Sequence, residues 1–238
     1  MCTVTFLPVK DKIFITSNRD EKVQRPAANS PDIEKMSTGK MLFPKDGKAG
    51  GTWIALHNNG NAMILLNGAK EKHHHIPPYR KSRGLVFLDI FDASFPSKRF
   101  LKTDLENIEP FTLVIWDTNQ LFEARWDGEL ANIDEIDHTI PHIWSSATLY
   151  DKEVIEKREH WFNVWLIGND NPTIESILLF HRFGGEGDER NDLRMNRNGI
   201  LKTVSITGIE LTAEKSVMYY HDMLTGIESV NEWLFAKS

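Results

Sequence analysis

The first residues constrain the fold more than any other stretch. In Met1-Cys2-Thr3-Val4-Thr5-Phe6-Leu7 and the returning Ile13-Phe14-Ile15-Thr16, Val4, Phe6, Ile13 and Ile15 alternate with Thr3, Thr5, Phe14 and Thr16. That period of two, in β-branched and aromatic residues, predicts two strands. The polar break from Pro8 to Lys12 predicts a tight hairpin at Lys10-Asp11, with Val9 opposite Lys12. Continuing this ladder sets Cys2 opposite Arg19, and a slip of one residue would turn Arg19 to the other face.

Cys2 is the only cysteine. Loss of Met1, which a small second residue permits, would make Cys2 the first residue and put a nucleophile and a base in one place. The thiol has a reference pKa of ~8.5 and the α-amine one of ~7.7–8.0, so the amine can take the thiol proton near neutral pH. A guanidinium at Arg19 would lower the thiol pKa and stabilise the thiolate. A lone cysteine is equally a small buried apolar residue, and Ser17-Asn18-Arg19-Asp20-Glu21 an ordinary polar strand end. The residues alone leave both readings open.

With Met-Cys at the start and Asn18-Arg19-Asp20-Glu21 ending the second predicted strand, the chain resembles the NRDE family, also called the transport and Golgi organisation 2 family. The resemblance implies an α+β fold, a four-layer α-β-β-α sandwich of antiparallel sheets. This is the N-terminal nucleophile hydrolase fold, shared with choloylglycine hydrolases and penicillin acylases that use an N-terminal Cys. The resemblance extends from Cys2 to about Tyr220 and weakens in the last third.

Composition narrows the function classes. The 238 residues carry no Pro/Gly/Ser-rich linker, which predicts a single domain over 1–238. A formal charge of −6 argues against a general nucleic-acid surface. No basic leader precedes an apolar run, and no segment approaches ~18 uninterrupted apolar residues, so a cytoplasmic protein without an integral membrane segment is expected. One cysteine excludes an internal disulfide and a Cys-rich zinc site.

Further along, 22–51 loses periodicity and reads as a long loop marked by Pro and Gly turns. Gly50-Gly51-Thr52-Trp53-Ile54-Ala55-Leu56 starts a strand, His57-Asn58-Asn59-Gly60-Asn61 gives the turn, and Ala62-Met63-Ile64-Leu65-Leu66-Asn67-Gly68 returns to complete a hairpin. His73-His74-His75 precedes Ile76-Pro77-Pro78 and reads as a solvated loop, since three consecutive residues cannot all point one way; no metal site is expected. Helical spacing predicts an amphipathic helix over 80–94 and a shorter one over 97–105. Strands are expected at 111–116 and 121–126, with a short third through Ile133, then a strand at 143–149, and a helix over 152–167 capped by Asp151. A further helix should run from Pro172 to Phe180. Residues 184–199 read as a charged, Gly-containing loop, and 201–207 with 215–220 as a closing hairpin. The alternating blocks fit two sheets between helical layers.

The Gly-Gly-Thr-Trp run and the Arg83-Gly84-Leu85 helix start also resemble the family. By the same resemblance Asn67, at the end of its strand, would donate to a tetrahedral oxyanion, a contribution of ~3–4 kcal/mol, although Asn67-Gly68 also suits a plain turn. Ser146 stands where the family usually has Asn, and Lys202 where it often has Arg, which keeps charge and loses the bidentate fork. The implied function is an N-terminal cysteine nucleophile hydrolase acting on a small amide or thioester after Met1 removal. Cys2, Arg19, Asp20 and Asn67 would be its catalytic residues, with Asn18, Ser146 and Lys202 as further candidates. This reading requires no cofactor. The alternative on the same fold is a non-catalytic haem or acyl-lipid binding and trafficking protein. A small-molecule amide, thioester or haem-like ligand is the expected partner; neither the ligand nor the oligomeric state is legible.

Overall fold

The computed structural model describes residues 3–234. The first hairpin has the expected register: β1 (Thr3–Val9) pairs antiparallel with β2 (Lys12–Lys22), from Thr3 opposite Asn18 to Val9 opposite Lys12. Lys10 turns the chain at φ 55°. The expected pairing of Cys2 with Arg19 lies outside the described residues.

Residues 26–138 form one compact unit and 3–25 with 139–234 the other. In the second, β1 and β2 lie inside a seven-stranded antiparallel sheet. The chain returns to it through β10 (His142–Ser145), β11 (Asn196–Arg197), β12 (Leu201–Leu211), β13 (Lys215–Asp222) and β14 (Glu228–Leu234). The order is β10-β1-β2-β12-β13-β14, with β11 also on β12. Helices α3 (Lys152–Ile167) and α4 (Ile174–Phe183) cover one face. Leu7, Phe14 and Ile206 of the sheet pack there with Phe162, Ile174, Ile177 and Phe180, each buried side chain contributing ~1.5–3 kcal/mol. The caps follow the sequence: Asp151 accepts from the Val154 N–H, and Thr173 and Ser176 form a capping box.

The unit of 26–138 is a meander in which each strand pairs with its successor: β3 (Asn29–Lys35), β4 (Lys40–Lys45), β5 (Ile54–His57), β6 (Ala62–Asn67), β7 (Phe111–Asp117), β8 (Gln120–Trp126) and β9 (Ala131–Ile136). Helices α1 (Arg83–Phe91) and α2 (Pro96–Phe100) interrupt it between β6 and β7. The two glycine motifs meet in this unit. A Cβ on Gly51 would lie 2.3 Å from the Gly84 carbonyl carbon, and one on Gly84 2.8 Å from the Thr52 oxygen. Both positions therefore need glycine, because backbone passes against backbone.

Several boundaries differ from expectation. The supposed loop at 22–51 contains β3 and β4, which periodicity hides because β3 is an edge strand with only Pro31 buried. The strand expected over 143–149 ends at Ser145, where Ser146 accepts backbone N–H bonds from Leu149 and Tyr150 and turns the chain. β14 was not anticipated. The histidine run is not simply solvated: His73 Nε2 and His75 Nδ1 lie 3.3 and 3.0 Å from one Glu109 oxygen, and Arg83 is 3.1 Å from the other. A carboxylate gathers these side chains. Among the described residues no group of three or more His, Cys, Asp or Glu is placed to hold a metal, and no helix is long and apolar enough to cross a membrane.

Candidate functional site

The motif Asn18-Arg19-Asp20-Glu21 lies in β2, between β1 and β12. Alternation sends Asn18 and Asp20 to one face, with Ser17, Arg19 and Glu21 on the other. Asn18, Arg19 and Asp20 are all buried, so each polar group needs a partner.

Asp20 is gripped from two elements. The Tyr150 hydroxyl donates to one carboxylate oxygen at 2.7 Å and the Thr203 hydroxyl to the other at 2.5 Å. Thr203 faces Asp20 across the β2–β12 ladder, next to a register shift between Thr203 and Ser205. Its Oγ1 also accepts the Met195 N–H at 2.9 Å. The carboxylate is therefore fixed in position at the end of a buried strand.

Asn18 serves the architecture. Its Nδ2 donates to the carbonyls of His181 (3.0 Å) and Leu193 (2.7 Å), which leaves Oδ1 as acceptor for His181 Nδ1 at 2.8 Å. His181 must then carry its proton on Nδ1, and its Nε2 accepts from the Thr5 hydroxyl at 2.8 Å. Burial, and secondarily the Arg158 charge, push the His181 pKa down to about 3, so the neutral ring is the folded form.

Arg158 is fully buried in α3. It donates to the Thr3 hydroxyl, to the Asn191 carbonyl through Nε and Nη2 at 3.1 and 2.9 Å, and to the Asp192 carbonyl at 2.7 Å. Its guanidinium lies 3.6 Å from the centroid of the Tyr150 ring, a cation–π contact strengthened by desolvation. One cation thus braces both the first described residue of β1 and the tyrosine that holds Asp20.

On the other face, Arg19 Nη2 lies 3.9 Å from Glu21 Oε2, which Arg25 approaches at 3.6 Å. Across the sheet, Ser17 pairs with Thr207 and Thr207 with Tyr220. The Ser17 and Thr207 hydroxyls are buried and have no hydrogen-bond partner among the described residues. Burial first, then Asp222, raises the Tyr220 pKa, while the neighbouring Ser205 and Arg19 pull it down.

The structure thus brings Asn18, Arg19 and Asp20 onto one strand beside β1. Cys2 lies outside the described residues. Asn67 ends β6, opposite Phe111, in the other compact unit. Ser146 follows β10, 2.9 Å from the Thr148 hydroxyl. Lys202 lies on β12 opposite Glu21 and lines a pocket of about 500 Å³. Sequence reasoning missed Tyr150, Thr203, Arg158 and His181. Two of them carried a signal: Val154, Arg158 and Phe162 recur every four residues, and Ile174, Ile177, Leu178 and His181 follow helical spacing, which puts each polar side chain on a buried stripe.

The family model described as "Transport and Golgi organisation 2" matches residues 1–175. No curated protein matches the chain. Among solved structures, an arginine-to-leucine variant of conjugated bile acid hydrolase from Clostridium perfringens is similar at 12% identity and a TM-score of 0.51, covering 100% of this chain and 98% of that one. A Caenorhabditis elegans N-acylethanolamine-hydrolyzing acid amidase ortholog is similar at 10% identity and a TM-score of 0.59, covering 87% and 92%. At such identities the likeness shows the fold: a mixed α+β fold with two antiparallel sheets, of the N-terminal nucleophile hydrolase type.

Proposed function

We propose that this chain, which belongs to the Transport and Golgi organisation 2 family, is an N-terminal cysteine hydrolase of a small amide or thioester. The observation that carries the reading is the Asp20 carboxylate, buried beside β1 and held by Tyr150 and Thr203. The first residue of a strand carries its side chain to one face and its amine in the plane of the sheet. Arg19 and Asp20, on opposite faces of β2, are thereby suited to different groups of one N-terminal residue. The hydrolase and amidase among the fold's solved relatives support the reaction class.

With Met1 removed, the α-amine of Cys2 takes the thiol proton, Arg19 holds the thiolate and Asp20 orients the ammonium. The sulfur adds to the substrate carbonyl carbon and gives a tetrahedral oxyanion. The ammonium proton passes to the leaving amine or thiolate as the C–N or C–S bond breaks, leaving an S-acyl enzyme. Water then attacks that thioester, the amine takes the water proton and returns it to the departing sulfur, and the carboxylic acid leaves. No cofactor takes part.

The test is a panel of N-acyl amides and acyl thioesters. Wild-type protein should hydrolyse at least one member, Cys2→Ala none, and Tyr150→Phe should lose about tenfold in kcat/KM while remaining folded, as expected for one hydrogen bond to a charged group. Equal turnover by Cys2→Ala would defeat the proposal. A second reading, haem or acyl-lipid carriage without chemistry, draws on Ser146, where the family usually has Asn: a hydroxyl 2.9 Å from Thr148 has shorter reach than an amide. It predicts that Cys2→Ala captures haem or an acyl thioester as tightly as wild type.

A further inference from the structure

The pocket lined by Lys202 also has Thr203, the partner of Asp20, in its wall. It lies between the end of α4, the segment after it, and β12, with a volume of about 500 Å³. Three cations line it: Arg182, Arg194 and Lys202. None of them has an ion pair or side-chain hydrogen bond among the described residues, in a chain whose formal charge is −6.

Arg182 is the telling member. Its Nε is buried and has no hydrogen-bond partner among the described residues. A cation in the last turn of a helix ordinarily complements the exposed carbonyls. Here the Phe180 carbonyl is taken by the Gly184 N–H, and that of Gly184 by the Leu193 N–H. The Nε–H with one neighbouring Nη–H forms the side-on edge of a guanidinium, the edge that binds two oxygens of one oxyanion. A buried, unmade bond of this kind is unfavourable unless a ligand completes it.

The two carboxylates lining the pocket are already engaged. Asp192 accepts the N–H groups of Glu186 and Gly187 at 3.0 and 3.1 Å, one on each oxygen. Glu189 accepts from the Asn196 side chain at 3.2 Å. Each keeps its charge, and neither forms an ion pair with the three cations among the described residues, so the lining holds three cations against two carboxylates. Met195 and Met223 add an apolar portion that could cover an organic body.

We infer that this pocket is a binding site for a phosphate dianion, carried as a small phosphate monoester, with Arg182 as the bidentate anchor and Lys202 and Arg194 supplying charge. Binding of the phosphate requires no reaction at Cys2.

The experiment titrates full-length protein with phenyl phosphate at low salt, by calorimetry. Saturable one-to-one binding is expected, weakened about tenfold or more in Arg182→Gln and in Lys202→Gln, as charge-assisted hydrogen bonds are lost. Arg182→Lys, which keeps the charge and fills similar space, should also weaken binding because the fork is gone; it serves if Arg182→Gln fails to fold. Lys98→Gln, outside the pocket, should bind as wild type. Inorganic phosphate should bind more weakly than phenyl phosphate, and benzenesulfonate, a monoanion of similar shape, at least tenfold more weakly. Absence of saturable binding, equal affinity in wild type and the Arg182 and Lys202 variants, or equal binding of benzenesulfonate would overturn the inference. Equal affinity for inorganic phosphate would overturn its monoester part.

Discussion

Arg158→Met should destabilise the protein by about 3–5 kcal/mol, measured by urea denaturation at neutral pH. Arg158 is buried and has no carboxylate partner among the described residues; its charge is met by two carbonyls, one hydroxyl and the Tyr150 ring. Methionine of similar length would leave the Asn191 and Asp192 carbonyls short of donors, at ~1–3 kcal/mol for each buried group, and would remove the cation from the ring. Arg158→Lys should lose less stability but still weaken the fork, since an ammonium cannot reach the two carbonyls and Thr3 with one plane. A loss below about 1 kcal/mol in Arg158→Met would mean that the buried cation does not hold these elements together.

The second large effect is a pH dependence. His181 is neutral in the fold, with its pKa lowered from 6.5 to about 3 by burial and, secondarily, by Arg158. The unfolded chain therefore binds up to one more proton than the native state between these values. Stability from this group is complete above pH 6.5 and falls as pH drops from 6.5 towards 3, by about 1.4 kcal/mol per unit. Asparagine at 181 retains a donor towards Asn18 Oδ1 and does not titrate. The stability difference between wild type and His181→Asn should shrink along that slope between pH 6.5 and 5, where most carboxylates have not begun to protonate. Parallel stability curves over this range would show that His181 protonates without unfolding, contrary to its hydrogen bonds with Asn18 and Thr5.

Much of this fold was legible because its central strands alternate. Val4, Phe6, Ile13 and Ile15 fix the first register, and Asp151 and the 3.6-residue spacing place α3. β3 and β14 escaped because they are edge strands: β3 buries only Pro31, and β14 turns Ser229, Asn231 and Trp233 inward while exposing Val230 and Leu234, so neither shows an apolar alternation. At the candidate site, Asn18, Arg19 and Asp20 stood out as a motif, but what holds them did not. Tyr150 and Thr203 are 130 and 183 residues from Asp20 in sequence, and only the β2–β12 pairing and the packing of α3 bring them together. Asn18 also shows the limit of motif reasoning. Its amide is consumed by two carbonyls and His181, so its identity follows from satisfying buried polar groups rather than from chemistry at a substrate.

The most direct test of a nucleophilic Cys2 is intact-protein mass spectrometry before and after a brief, limiting dose of iodoacetamide across a range of pH. Because Cys2 is the only cysteine, a single adduct reports on it alone. An activated nucleophile predicts a mass lacking Met1 and an alkylation profile with an apparent pKa well below ~8.5, shifted upward in Arg19→Gln. Retention of Met1, or a profile centred near ~8.5 that Arg19→Gln leaves unchanged, would contradict it.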